Sequence, residues 1–196
     1  MQTFLPYFDF KMSAKCLDNK RLVKQNLENR QILNTLCGFS SGWSKHPAVL
    51  QWKNNILALI SYGLAINDEV VKRGFKDSSS PYNKYLEYAK ENNLNYKLPD
   101  WTNNESITSS HRSRLICKGE IDSLCDAIKK HFKIKKIDDW CKEKFKLTKN
   151  ALRYEHVALL QQICAENNLS VKQNHYKQFN WTDNPAAEYV WPKGKE

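Results

Sequence analysis

The run ILALISYGLAI (56–66) limits the architecture more than any other part of this 196-residue chain. Around it Val49, Ile56, Ile60, Gly63, Ile66 and Val70 recur at helical spacing, and Leu50, Leu57, Leu59 and Leu64 widen the stripe nearly all round. A helix apolar on every side has to be covered on every side, so Pro47 to Arg73 is the expected central buried helix. Pro47 suits a helix N-terminus and Gly74 a C-terminal stop. Ser61 interrupts the run, which is far shorter than the roughly 20 apolar residues a membrane span needs. Strand-like alternation is scarce elsewhere, so the expected fold class is all-α.

Ser13 can cap a first helix reaching about Cys37, with Val23, Leu27, Leu33 and Leu36 offered to the core. GFSSGWSKHP (38–47) reads as a loop, a shorter helix follows SSSP, and another is expected from Ser106 to Lys118. Residues 119–171 change character. They are dense in lysine, hold three short amphipathic segments (about 120–132, 136–145 and 149–167), and carry four of the six cysteines when Cys117 is counted at their edge. QFNWTDNPAAEYVWP then returns to the aromatic, Pro-punctuated style of the N-terminal part. The expected organisation is therefore a helical core of 1–118 and 172–196 with a lysine-rich helical subdomain, 119–171, inserted in it.

Lys and Arg outnumber Asp and Glu by 31 to 21, a net charge of +10. That balance favours polyanionic partners, with nucleic acid ahead of an anionic membrane surface. The six cysteines (16, 37, 117, 125, 141, 164) are scattered without a C-x-x-C pair, which points to buried free thiols and a reducing compartment, with no metal site. MQTFLPYFDF lacks the basic start and apolar core of a secretory signal, so a cytoplasmic or nuclear location is expected. No P-loop, G-x-S-x-G or H-E-x-x-H pattern occurs, leaving ATP-dependent phosphoryl transfer, ester hydrolysis and zincin proteolysis without support.

Three stretches can carry chemistry. In LDNKRLVKQNLENRQIL (17–33), positions 20, 24 and 28 share one helix face, with Arg21 beside them. Glu28 is then either the partner of Lys24 on a solvated ladder, contributing a few tenths of a kcal/mol, or a carboxylate held within a phosphate-binding surface. Periodicity does not choose. In SSHRSRL (109–115), His111, Arg112 and Arg114 lie near a helix start, where backbone N–H groups and basic side chains suit phosphate, or where an arginine merely decorates a capped helix. In GWSKHP (42–47), a Trp and a His precede the long helix; His46 reads first as a cap or packing residue, and Trp43 and Trp52 read as core.

Taken in order, MQTFLPYFDF, LDNKRLVKQNLENRQIL, GWSKHPAVLQW, SSHRSRL and EYVWP resemble the pyrimidine-dimer DNA glycosylase (endonuclease V) family, over about 1–118 and 172–196. The resemblance implies a compact helical protein that binds double-stranded DNA, flips a base, and needs no cofactor. It also implies cleavage of the glycosidic bond by the chain's own α-amino group, followed by strand breakage through β-elimination. The assisting glutamate matches Glu28. Residue 2 is Gln where well-studied members expose Thr; so large a side chain usually blocks methionine removal, which assigns the amine to Met1. Leu27 stands where those members carry an arginine. Lys20, Arg21, Lys24, Arg112 and Arg114 are expected along the DNA backbone, with His46 and His111 near the site.

The chemistry is sound in itself. An α-amino group titrates near 7.7–8.0 against about 10.4 for lysine, so about a tenth of it is unprotonated and nucleophilic at neutral pH. A carboxylate in reach can stabilise a cationic sugar and move protons. Two other readings remain open: a non-catalytic DNA-binding protein on the same scaffold, and a glycosidic-bond enzyme acting on modified nucleotides. For 119–171, Lys129, Lys130, Lys133, Lys135 and Lys136 could face phosphate, or the module could dock a protein or buttress the core.

Overall fold

A computed structural model describes residues 1–147 and 152–192. Among them every regular element is a helix: α1 (Phe10–Cys16), α2 (Asn19–Leu36), α3 (Pro47–Leu50), α4 (Ile56–Lys72), α5 (Tyr82–Glu91), α6 (Glu105–His131), α7 (Ile137–Lys144) and α8 (Val157–Glu166), with three short 3-10 turns. The chain divides into two compact units, Met1–His111 with Val190–Glu196, and Arg112–Tyr189. The start of the helix expected at 149–167 lies outside the described residues.

In the first unit, the single helix expected from Ser13 to Cys37 is two. Leu17 is extended, and Asp18 caps α2 by accepting the Arg21 N–H at 2.9 Å. Arg73 accounts for the carbonyls freed at the break, donating to Leu17 O (2.7 Å) and Lys15 O (2.8 Å) while pairing with Glu69. The stripe that α2 buries is Leu22, Gln25, Asn26, Asn29, Ile32 and Leu33. It follows regular i, i+3, i+4 spacing but is half amide, so apolar residues alone do not mark it. Of the residues expected in the core, Leu33 is buried and Leu36 half-buried, whereas Val23 and Leu27 are exposed.

The long helix expected from Pro47 is also divided. His46 caps the short α3, and Asn55 takes a non-helical conformation, its side chain donating to Lys97 O at 2.9 Å. The helix that follows, α4, is the central buried one, with Ala58, Leu59, Ile60, Tyr62 and Ile66 essentially without solvent. It packs on α1, α2 and α5. Gly63 permits the close approach: a Cβ there would overlap the Asn29 amide and the Tyr82 ring. Gly74, at φ +80°, ends the segment as expected.

In the second unit, α6 continues unbroken through Lys118, where the sequence suggested a helix end. Its residues Cys117, Ile121, Leu124, Cys125 and Ile128 form one core with Cys141 of α7 and Val157, Leu160 and Cys164 of α8. The four cysteines grouped by the sequence thus belong to one packed cluster. All six thiols are free and buried. Burial pushes Cys16 up to about 12 and Cys37 up to about 11, so neither is a thiolate nucleophile near neutrality.

Candidate active site

The amides on α2 hold the start of the chain. Gln25 Oε1 accepts the Phe4 N–H at 3.0 Å and its Nε2 donates to Gln2 O at 2.7 Å, pairing the side-chain amide with the backbone on both edges. From other elements, Gln51 Nε2 and Trp52 Nε1 donate to Thr3 Oγ1, the second at 3.1 Å. Tyr62 OH donates to Phe4 O at 2.9 Å. The Leu5 N–H donates to Nδ1 of the fully buried His111 at 2.8 Å. Residues 3–5 are buried and clamped by α2, α4, α6 and the turn that follows α3, which fixes where the residues ahead of them lie.

They lie at Glu28. The Gln2 N–H donates to Glu28 Oε2 at 3.2 Å. Because one residue spans at most about 3.6 Å of chain, the Met1 nitrogen falls within about 7 Å of that oxygen. The expected ion pair with Lys24 also exists, but at 3.8 Å, with the lysine 69% and the carboxylate only 14% exposed. An amide donor and a half-buried position set Glu28 apart from a simple surface ladder residue.

His46 reports on the same charges. Its Nδ1 accepts the Ala48 N–H at 3.1 Å, and its ring meets Trp43 and Trp191 edge-on at 5.6 and 5.7 Å. Its pKa is held below 6.5, first by desolvation, then by the terminal ammonium, with the Glu28 carboxylate opposing both. The cap role expected of His46 and proximity to the Met1 amine and Glu28 therefore coincide.

The basic residues separate. Lys20 and Lys24 are exposed on α2. Arg21 is largely covered and binds Asp18 at 2.7 Å, supporting the α2 cap. His111 is interior: as acceptor at Nδ1 it is the neutral tautomer carrying its proton on Nε2. Within the second unit, Arg112 makes a two-pronged bond to Asp183, at 2.7 and 3.0 Å, with both side chains mostly buried. Arg114 is half-buried there, and its Nε has no hydrogen-bond acceptor among the described residues. Trp52 is core as expected, whereas Trp43 is in solvent. Gln25, Gln51 and Tyr62 hold the N-terminal segment without any motif in the sequence to mark them. Glutamine and asparagine at 25, 26 and 29, recurring on the helical period of a buried stripe, were the available signal.

Residues 1–83 match the family model described as pyrimidine dimer DNA glycosylase. The likeness to that family thus extends over the first 83 of the 196 residues. That stretch contains α1 to α4, the clamped N-terminal segment, Glu28 and His46, so the glycosylase-family match and the site geometry fall on the same residues. No curated protein and no solved structure matches the chain. Among the described residues, no helix is long and apolar enough to cross a membrane, and no cluster of three or more His, Cys, Asp or Glu side chains could hold a metal.

Proposed function

We propose that the protein is a DNA-repair glycosylase with an associated abasic-site lyase activity, acting on damaged or modified pyrimidines in double-stranded DNA. The observation that carries this reading is the clamped N-terminal segment delivered to Glu28 by the Gln2 N–H bond. The Met1 amine, unprotonated, attacks C1′ as the glycosidic bond breaks and the base departs with the bonding pair. The nitrogen then loses a proton, the C1′–O4′ bond breaks with O4′ taking a proton, and the iminium so formed acidifies C2′. Loss of a C2′ proton then expels the 3′ phosphate, and water releases the sugar from the amine. Glu28 stabilises the cationic sugar and carries the protons of ring opening and elimination.

Within this reading His111 and Gln25 position the N-terminal segment, and Arg21 and Arg112 serve structure through their aspartates. Lys20 and Lys24 carry the phosphate contacts on α2, and Arg114 is the cation of SSHRSRL left for phosphate. The lysine run at 129–136 supplies either further DNA contacts or a protein-docking face, and residues 119–171 are an insertion relative to the glycosylase core. The site works in a reducing cytoplasmic or nuclear setting.

Borohydride trapping on abasic-site duplex is the direct test. The expected result is a covalent adduct that disappears when the α-amine is acetylated, with the terminal residue established by mass spectrometry. No adduct from the wild type, or one undiminished by acetylation, rejects the mechanism. Leu27 favours a second reading, non-catalytic DNA binding. It is 50% exposed beside Glu28, an apolar side chain where the family resemblance implies a cation. Salt-sensitive duplex binding without trapping or base release would select that reading.

A further inference from the structure

Trp43 is the most exposed large hydrophobic side chain among the described residues, at 65%. Its backbone sits at φ +67°, a left-handed conformation that a bulky residue rarely adopts and that persists where surroundings enforce it. The loop supplies that enforcement. Thr35 Oγ1 at the end of α2 donates to Gly42 O at 2.8 Å, and the His46 N–H donates to Trp43 O at 2.8 Å. The backbone is thus held while the indole extends into solvent, in a T-shaped contact with the His46 ring at 5.6 Å between centroids. His46 in turn lies in the field of the terminal ammonium and Glu28.

The surroundings have a matching chemistry. Positions 23, 27, 31 and 35 form one i, i+4 line along α2 that ends at Thr35, the residue that holds the Trp43 loop. Val23 and Leu27 on that line are 44% and 50% exposed. Lys20, Lys24 and Lys45 are exposed on the same two segments. Apolar and aromatic surface interleaved with lysines, next to a carboxylate, suits a ligand with flat apolar faces and an anionic backbone, which is to say nucleic acid with a base out of its stack.

Resting on the glycosylase reading, we propose that Trp43 is a specificity-determining residue whose indole stacks on an unpaired nucleobase when the lesion site is opened. Stacking of this kind typically changes affinity by about 5- to 150-fold per base. The test uses the full chain and two duplexes for binding, one undamaged and one with a tetrahydrofuran abasic-site analogue opposite 5-iododeoxyuridine. Trapping is read separately on a natural abasic duplex, because tetrahydrofuran has no aldehyde carbon to trap. Long-wavelength irradiation of the tetrahydrofuran duplex should cross-link the iodinated base to residue 43, mapped by mass spectrometry. Trp43→Ala should lower the preference for the abasic duplex over the undamaged one by about tenfold. Trp43→Phe should restore most of it, and Trp43→Gly, which relieves the backbone but removes the ring, should not. If the wild type binds and is trapped on abasic DNA while Trp43→Ala keeps its preference and no cross-link maps to residue 43, the stacking role is overturned and the glycosylase reading stands. If the wild type neither binds duplex nor is trapped, both fall together.

Discussion

A carboxylate becomes useful here through what is delivered to it. Glu28 shares its helix face with Lys24, yet its amide partner, Gln2 N–H, comes from 26 residues away in the chain. Glu28→Gln keeps the shape and removes the charge, so it should slow strand cleavage on abasic DNA by at least about 100-fold, as removal of a general acid–base group does, with duplex affinity little changed. His46 offers an independent check, read by NMR titration. Blocking the α-amine removes an influence that lowers its pKa and should raise it; Glu28→Gln removes an influence that raises it and should lower it further. The linkage has a definite sign. A folded-state pKa below 6.5 means that the folded protein resists protonation of His46. Its contribution to stability is therefore complete above 6.5 and is lost as pH falls through the folded value.

Among the elements, α2 works through a stripe of amides. Gln25 bonds the N-terminal segment on both sides, Asn29 donates to Tyr82 OH at 3.0 Å, and Asn26 donates to Ser78 Oγ at 2.8 Å. Gln25 is paired through both its atoms, which fixes one register for the chain start, while Asn26 and Asn29 are held through their N–H groups and their Oδ1 atoms accept no bond among the described residues. Gln25→Ala should cost about 1–3 kcal/mol in denaturant unfolding. It should also lower the single-turnover trapping rate more than it lowers DNA affinity, the mark of a positioning residue. Gly63 sets the α2–α4 spacing, and Gly63→Ala should destabilise by about 1–3 kcal/mol through overpacking, read as a lower Tm with DNA affinity intact. The break at Leu17 is hard to read from sequence because Arg73, 56 residues away, takes up its carbonyl, although the Asp18 cap beside it is local; at 51–55 the Asn55 side chain is engaged with Lys97 O, 42 residues on.

For the whole molecule the net charge of +10 governs encounter with DNA. Removing one phosphate-bound cation reduces the slope of log affinity against log salt by about one, so Lys20→Gln with Lys24→Gln should reduce it by about two. The run Lys129, Lys130, Lys133, Lys135 and Lys136 is exposed in the second unit and can be neutralised to glutamine without touching its core. A reduced salt slope with an unchanged trapping rate at saturation would assign it to DNA binding, and an unchanged slope to protein docking or support. Excising 119–171 is a poor test, because α6 runs through the cut and Ile121, Leu124 and Cys125 would go with it.

The sequence by itself determined the all-helical class, the buried α4 and its stop at Gly74, the buried thiols and, through the three motifs that fall within residues 1–83, the family model matched there. Those properties follow from local periodicity, composition and residue order, which a linear chain carries openly. Only the tertiary structure decided which face of α2 is inside, that Arg21, His111 and Arg112 are engaged in structure, and that Trp43 stands in solvent. The meeting of Gln2 with Glu28 was likewise decided there. Each depends on hydrogen bonds and packing between residues far apart in the chain, and spacing along the sequence holds no record of those encounters.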